Sequence, residues 1–234
     1  MSKLKGLVYY TDNQCNEKIL NTVRKNLLNV CNGKKIISVS LAPIDFGQNI
    51  VLPLIRGYLT MYKQILVGVE AIDTDIIFLI EHDVIYPKCH FDFTPLKKDV
   101  FYYNVNWWLV RSSDGQAVTF NAIKVSGLCA YKELLVEHYR ERVKRISKRF
   151  TNRMGFEPGL HRFPRGVDNY DVETWRSEFP YLDIRHGENL SPSQPRFECR
   201  HEGYTIADEV PFWGKTKGRF EEFLNEIDEG KILW

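Results

Sequence analysis

The triplet Glu81-His82-Asp83 closes an apolar run, Ile76-Ile77-Phe78-Leu79-Ile80, in a sequence of 234 residues. Side chains alternate along an extended chain, so two acids one residue apart point the same way. Carboxylates facing one spot repel unless a cation lies between them. A hard divalent ion, Mg²⁺ or Mn²⁺, with phosphate oxygens in its remaining positions answers that need. The plainer alternative is a strand-ending turn with solvated acids, because acid-x-acid triplets are common. A second polar cluster, Thr11-Asp12-Asn13, ends the short apolar run Leu7-Val8-Tyr9-Tyr10. Trp107, Trp108, Trp175 and Trp213 have the surface to stack on a sugar or a base, although large aromatics mostly pack cores.

Both clusters need a scaffold, and the amino-terminal half spells one. The pattern predicts strands at 7–10, 36–41 and 75–80. Helices are predicted from Glu17 to Cys31, stopped by Asn32-Gly33, and from Asn49 to Glu70 with Pro53 in the first turn. The continuous apolar run before Glu81 reads as a strand buried on both faces, as in a parallel sheet covered by helices. Strand–helix alternation of this kind is the grammar of an α/β fold, whose ligands gather at the carboxyl ends of the strands. Beyond residue 99 the pattern predicts aromatic strands at 100–103 and 107–110, a turn at Ser112–Gly115, and a return strand at 117–125. Residues 126–130 lead into a helix from 131 to 150, followed by a short helix at 172–179 and a strand at 181–184. No repeat or low-complexity linker interrupts the chain. The expected organisation is one domain, 1–234, with a nucleotide-binding half (1–98) and an acceptor-side half (99–234).

Composition narrows the class. With 44% hydrophobic and 26% charged residues, the chain can build a core, and a net charge of +2 excludes a bulk polycation. Charge is nevertheless uneven: residues 140–165 hold nine Lys and Arg against two Glu. That segment is either a solvated helix face or a surface that meets phosphates. Five scattered cysteines form no Cys-x-x-Cys pair; Cys89-His90 and Cys199-Arg200-His201 are isolated fragments. With no apolar leader and no membrane-length run, a cytoplasmic protein is expected.

The stretch Phe78-Leu79-Ile80-Glu81-His82-Asp83-Val84-Ile85-Tyr86-Pro87 resembles the D-x-D region of GT-A-fold nucleotide-sugar glycosyltransferases. It is closest to a bacterial and phage subgroup that writes the motif E-H-D-V. Gly127-Leu128-Cys129-Ala130 with Leu134-Leu135 and His138-Tyr139, and Asp183-Ile184-Arg185-His186-Gly187-Glu188-Asn189-Leu190, resemble the same subgroup. The resemblance implies a GT-A-like, Rossmann-related mixed sheet flanked by helices. Thr11, Asp12 and Asn13 would then hold the base and ribose of a UDP-sugar. Asp83, with Glu81 directly or through water, and His186 would bind Mn²⁺ or Mg²⁺ on the diphosphate. Arg185, Lys215 and Lys217 are candidates to assist the leaving group. In such enzymes a carboxylate base commonly opens a helix after the acceptor loop, which singles out Glu173, then Asp171, with Asp168 nearby. Phe212-Trp213-Gly214-Lys215 would suit a lid over the donor.

The implied acceptor is a glycan or hydroxymethylated phage DNA, the latter suited to the basic segment with Phe150, Phe156 and Phe163 interleaved. Two other classes compete with this reading. One is a non-catalytic nucleic-acid-binding protein; the other is a metal-dependent phosphohydrolase or nucleotidyltransferase built on the same acids.

Overall fold

A computed structural model of the protein describes residues 3–148, 157–159, 171–190 and 203–232. The first half runs β1 (Lys5–Thr11), α1 (Glu17–Val30), β2 (Lys35–Ser40), β3 (Gln48–Val51), α2 (Tyr58–Ala71) and β4 (Ile76–Glu81). There follow β5 (Val84–Ile85), β6 (Val100–Asn104), β7 (Trp107–Arg111), β8 (Ala117–Thr119), β9 (Leu128–Tyr131) and α3 (Lys132–Lys148). The remaining described elements are β10 (Asp171–Trp175), β11 (Tyr181–Arg185), β12 (Thr205–Ala207), β13 (Glu209–Val210), β14 (Gly214–Lys215) and α4 (Phe220–Asp228).

Seven strands form a central sheet in the order β10-β6-β9-β4-β1-β2-β3. Within it β9 runs antiparallel to both neighbours, and the other pairs are parallel. Alternation along β1 and β4 divides the core. Leu7, Tyr9, Ile76, Phe78 and Ile80 join one apolar cluster. Val8, Tyr10, Ile77 and Leu79 join another, with Ile65 and Val69 of α2 and Leu134 and Leu135 of α3. The unbroken apolar run of β4 is thus buried on both faces, as a covered parallel strand requires. A second sheet, ordered β12-β8-β7-β11-β5, shows the same division. Trp107 and Leu109 of β7 face the first cluster, whereas Trp108 and Val110 pack with Trp213 and α4.

Gly68 of α2 packs directly against β1. A Cβ there would lie 2.4 Å from Cγ1 of the fully buried Val8. Gly68→Ala is therefore expected to destabilise the protein by about 1–3 kcal/mol, since overpacking forces the layers apart. A denaturation midpoint equal to that of the wild type would contradict this packing.

His90 is fully buried and accepts a hydrogen bond on Nδ1 from Asn104 Nδ2 at 3.0 Å. Burial lowers its imidazole from 6.5 to about 3. The folded state thus binds fewer protons than the unfolded chain between those values. The stability His90 confers is complete above pH 6.5 and is lost as pH falls toward 3. The stability gap between wild type and His90→Gln should accordingly shrink by about 2 kcal/mol between pH 6.5 and 5. A gap constant over that interval in parallel denaturant titrations would contradict a neutral, desolvated ring.

The structure corrects four sequence expectations. The helix expected from Asn49 starts at Tyr58, because residues 48–51 add β3 to the edge of the central sheet. Residues 128–131 form an additional strand, β9, directly before the helix, and the return strand at 117–125 is confined to β8. The helix expected at 172–179 is absent: residues 171–175 form the edge strand β10, paired in parallel with β6. Its Asp-Val-Glu-Thr-Trp alternation suits a strand, with Asp171 and Thr174 exposed.

Candidate functional site at the carboxyl ends of the central strands

Strands β1 and β4 are paired neighbours, with Tyr10 opposite Glu81, so both polar clusters emerge at one end of the sheet. They border a cleft of about 450 Å³ whose walls include Thr11, Asp12, Glu81, His82, Asp83 and Arg185. Further charge comes from Asp183, which opens the late resembling segment, and from residues that the motifs did not single out: Arg56, Lys124 and Glu157. Tyr10, Tyr58 and Phe120 add aromatic surface.

The two acids of the triplet have different environments. Glu81 accepts a hydrogen bond from the Tyr10 hydroxyl at 2.9 Å. Burial, reinforced by the charges of Asp83 and Asp183, raises its carboxyl well above the ordinary range. Burial would also raise Asp83, but the positive potential of His82, His186 and Arg185 outweighs it and leaves that carboxyl lowered. Asp83 is therefore the more acidic member of the pair and Glu81 the less acidic. The chain turns at His82-Asp83 before β5, so the simple alternation assumed for an extended triplet does not continue through it.

The loop after β11 brings His186 to the same corner. The Asn189 side chain spans the gap: its Oδ1 accepts from the His186 backbone N–H at 2.7 Å, and its Nδ2 donates to Asp83 Oδ2 at 2.6 Å. His186 Nδ1 accepts from the Glu188 backbone N–H at 3.3 Å, which leaves Nε2 facing Asp83 Oδ2 at 3.5 Å. Nε2 of His186 and Nε2 of His82 are both buried without a hydrogen-bond partner. With Nδ1 accepting, the proton of a neutral His186 sits on Nε2 and points toward Asp83, so this ring is set as a donor to that carboxylate. Asp83 is the residue of this set that could hold a cation; His186 would have to give up the Glu188 contact to join it, and Glu81 is engaged by the Tyr10 hydroxyl.

Asp12 is fixed by Arg56, whose Nε lies 2.5 Å from its Oδ2, while Arg56 also donates to the Glu188 carbonyl. Thr11 is buried, and its carbonyl accepts from Gln64 at 2.7 Å. Asn13, at φ 61°, turns away from the cleft. Its Oδ1 accepts from the backbone N–H groups of Leu41 and Ala42, tying the end of β1 to the end of β2. Lys124 Nζ lies 2.5 Å from Asp183 Oδ2 and 4.2 Å from the Trp107 ring centroid. Asp183 also has Arg185 at 3.4 Å, so one buried acid sits between two cations.

Other expected site residues lie elsewhere. Glu173 is on β10 in a 2.7 Å ion pair with Lys97, and Asp171 is exposed on the same edge strand. Neither lines the cleft, nor does either open a helix. Lys215 is exposed in the β13–β14 hairpin, and Lys217 pairs with Asp208 at 2.8 Å. Trp213 is no lid: it is 2% exposed, and its Nε1 donates to the Pro180 carbonyl at 2.7 Å. Trp107 and Trp108 are buried, and Trp175 stacks on Phe93 with centroids 4.4 Å apart, so all three serve packing. Of the basic segment, Arg140 pairs with Glu70, Arg145 pairs with Glu141, and Arg142 donates to the Tyr62 hydroxyl. Asp168, Phe150, Phe156, Phe163 and Cys199-Arg200-His201 lie outside the described residues.

No family model matches the chain, and no curated protein matches it in sequence. Among solved structures, it is similar to a glycosyltransferase involved in the glycosylation of the major capsid of PBCV-1. The TM-score is 0.51 at 9% identity, covering 80% of this chain and 95% of that one. Such a likeness speaks for the fold, and the fold is the GT-A-like mixed α/β architecture expected from the sequence. No described helix is long and apolar enough to cross a membrane.

Proposed function

We propose that the cleft binds a nucleotide sugar, with UDP as the carrier, and transfers the sugar to an acceptor hydroxyl on a glycan or on hydroxymethylated DNA. The observation that supports this most is the convergence of Asp83, whose carboxyl is held below its ordinary range, with the cations Arg185 and Arg56 at one corner. Thr11 and Asp12 would border the base and ribose, with Asp12 pre-oriented by Arg56. Arg185 would neutralise diphosphate oxygens as the bond from the sugar anomeric carbon to phosphate oxygen breaks and UDP leaves with the electron pair. A divalent cation at Asp83, with Mn²⁺ or Mg²⁺ the expectation from the motif, would supply further charge stabilisation to that leaving group.

The base assigned to Glu173 or Asp171 moves, in this reading, to Glu157. Burial raises its carboxyl to about 7, offset in part by Arg142 and Lys124. A carboxylate tuned near neutrality at the cleft wall suits removal of the acceptor proton as the new glycosidic bond forms. Binding is testable by thermal shift. UDP with Mn²⁺ at a hundred times its Kd should stabilise the protein by about 2.7 kcal/mol, a rise of several degrees in Tm. An unmoved Tm across a panel of UDP-, GDP- and CMP-linked ligands would count against the reading.

A further inference from the structure

We propose that the loop between β3 and α2, together with the last turns of α3, docks the protein on the surface of an anionic lipid bilayer. Residues 51–55 read Val-Leu-Pro-Leu-Ile, and all but Leu52 are exposed, Ile55 to 91%. Scattered apolar side chains are ordinary on a surface, but a consecutive exposed run marks a contact site. The run is no frayed end. Leu52 N–H donates to the Ser40 carbonyl at 2.8 Å, Thr60 Oγ1 donates to the Ile55 carbonyl at 2.6 Å, and Arg56 pairs with Asp12. Leu54 and Ile55 are thus presented to solvent from an anchored backbone.

Topology brings a cationic surface to the same end of the molecule. β3 is parallel to β2, and β2 to β1, so the loop lies at the carboxyl ends of the strands. The cleft is at that end too, and its wall includes Arg56 and Tyr58. α2 runs back from the loop, and α3 packs antiparallel to α2. Lys132, at the start of α3, donates to the Ile72 carbonyl just past the end of α2, whereas Arg142 lies over the Tyr62 ring, 4.3 Å from its centroid. The end of α3 therefore returns to the side of the loop. From Arg140 to Lys148 this helix carries five cations and one acid, and Lys144 and Lys148 are exposed. Glu70 answers Arg140, and Glu141 is shared by Lys144 and Arg145, which leaves the surface cationic.

An apolar tip flanked by cations matches the chemistry of an anionic bilayer. Leu and Ile enter the boundary between headgroups and acyl chains, while Lys and Arg meet the headgroup phosphates. A nucleic acid would use the cations but leave Leu54 and Ile55 in water, so the apolar run favours the bilayer. This docking goes beyond the transfer reading and does not rest on it. A bilayer bound here would meet the protein at the end of the sheet that holds the cleft.

The test is co-sedimentation of the full chain with phosphatidylcholine vesicles, with and without phosphatidylglycerol, in the absence of nucleotide and metal. The expected result is binding to the phosphatidylglycerol vesicles that weakens as salt rises and is at least about tenfold weaker on phosphatidylcholine alone. Leu54→Ser/Ile55→Ser should weaken it by about 100-fold, because two apolar side chains no longer leave water. Lys144→Gln/Lys148→Gln should weaken it by about 30-fold. Leu96→Ser should leave it unchanged: Leu96 is 84% exposed, but it follows Pro95, which meets Tyr131 beside the start of β4, at the opposite end of the sheet. Circular dichroism would establish that each variant is folded; if the serine variant does not fold, the lysine pair and the lipid dependence decide. No binding to phosphatidylglycerol vesicles, or binding unchanged in Leu54→Ser/Ile55→Ser, would overturn the proposal. Duplex DNA bound through Lys144 and Lys148 with vesicles ignored would assign the cations to nucleic acid, and a dimer lost in the serine variant with vesicles ignored would assign the loop to a second copy. Either result overturns it as well.

Discussion

Asp83→Ala is expected to lower the rate of UDP release from a UDP-sugar by about 10²–10³-fold, comparable to removing one pre-organised electrostatic contact from a reacting centre. Among the carboxylates of the triplet, Asp83 is the one kept anionic by its surroundings, and Asn189 and His186 orient it from one side. The backbone should survive the change, because the Asp83 carbonyl still accepts from Ile184 N–H at 2.8 Å. Glu81→Gln is the informative companion. It preserves size and the Tyr10 contact, so it should cost far less if Glu81 is already neutral. Equal losses in the two variants would mean that both carboxylates act as anions.

Lys124→Met should produce the largest loss of stability among cleft variants. Removing one member of a buried pair strands the other charge, at a cost of about 3–5 kcal/mol. Lys124 and Asp183 are both almost fully sequestered, with Nζ and Oδ2 at 2.5 Å. Arg185 still faces Asp183 at 3.4 Å, which places the loss at the lower end of that range, near 3 kcal/mol. In a chain of this length that corresponds to a fall in Tm of about 6–12 °C. The double variant Lys124→Met/Asp183→Leu should recover much of it, since replacing both partners removes the unpaired charge. A single variant as stable as the wild type would show that Asp183 is solvated or protonated in the folded protein.

How far the sequence reached depended on burial. β1, α1, β2 and β4 were legible because their apolar residues recur at one period over several turns or alternate positions, and each is covered on the face the pattern names. β3 and β10 were not. Gln48–Val51 is short and partly exposed, and its four residues look like the first turn of the apolar series that continues through α2. Asp171–Trp175 is an edge strand, so its alternation is half solvated and competes with acids that read as a helix start.

The site divides in the same way. Thr11, Asp12, Glu81 and Asp83 could be read from strand ends. Arg185 and His186 could be read from a local motif. Arg56, Lys124 and Glu157 reach the cleft from loops whose positions depend on tertiary packing. Single acids and bases in loops leave no periodic trace. Glu173 is the converse case: the family resemblance implies a base at a helix start there, while the structure places it on an edge strand in an ion pair with Lys97.

The central claim is that this cleft breaks the bond between a sugar and a nucleoside diphosphate. It is tested most directly by incubating the full chain with a panel of nucleotide sugars, with Mn²⁺ or Mg²⁺ and without acceptor, and quantifying free nucleotide over time. The account predicts slow UDP release from at least one UDP-sugar, dependent on added cation. Release of inorganic phosphate in place of UDP, or no turnover of any donor by folded protein, would contradict it.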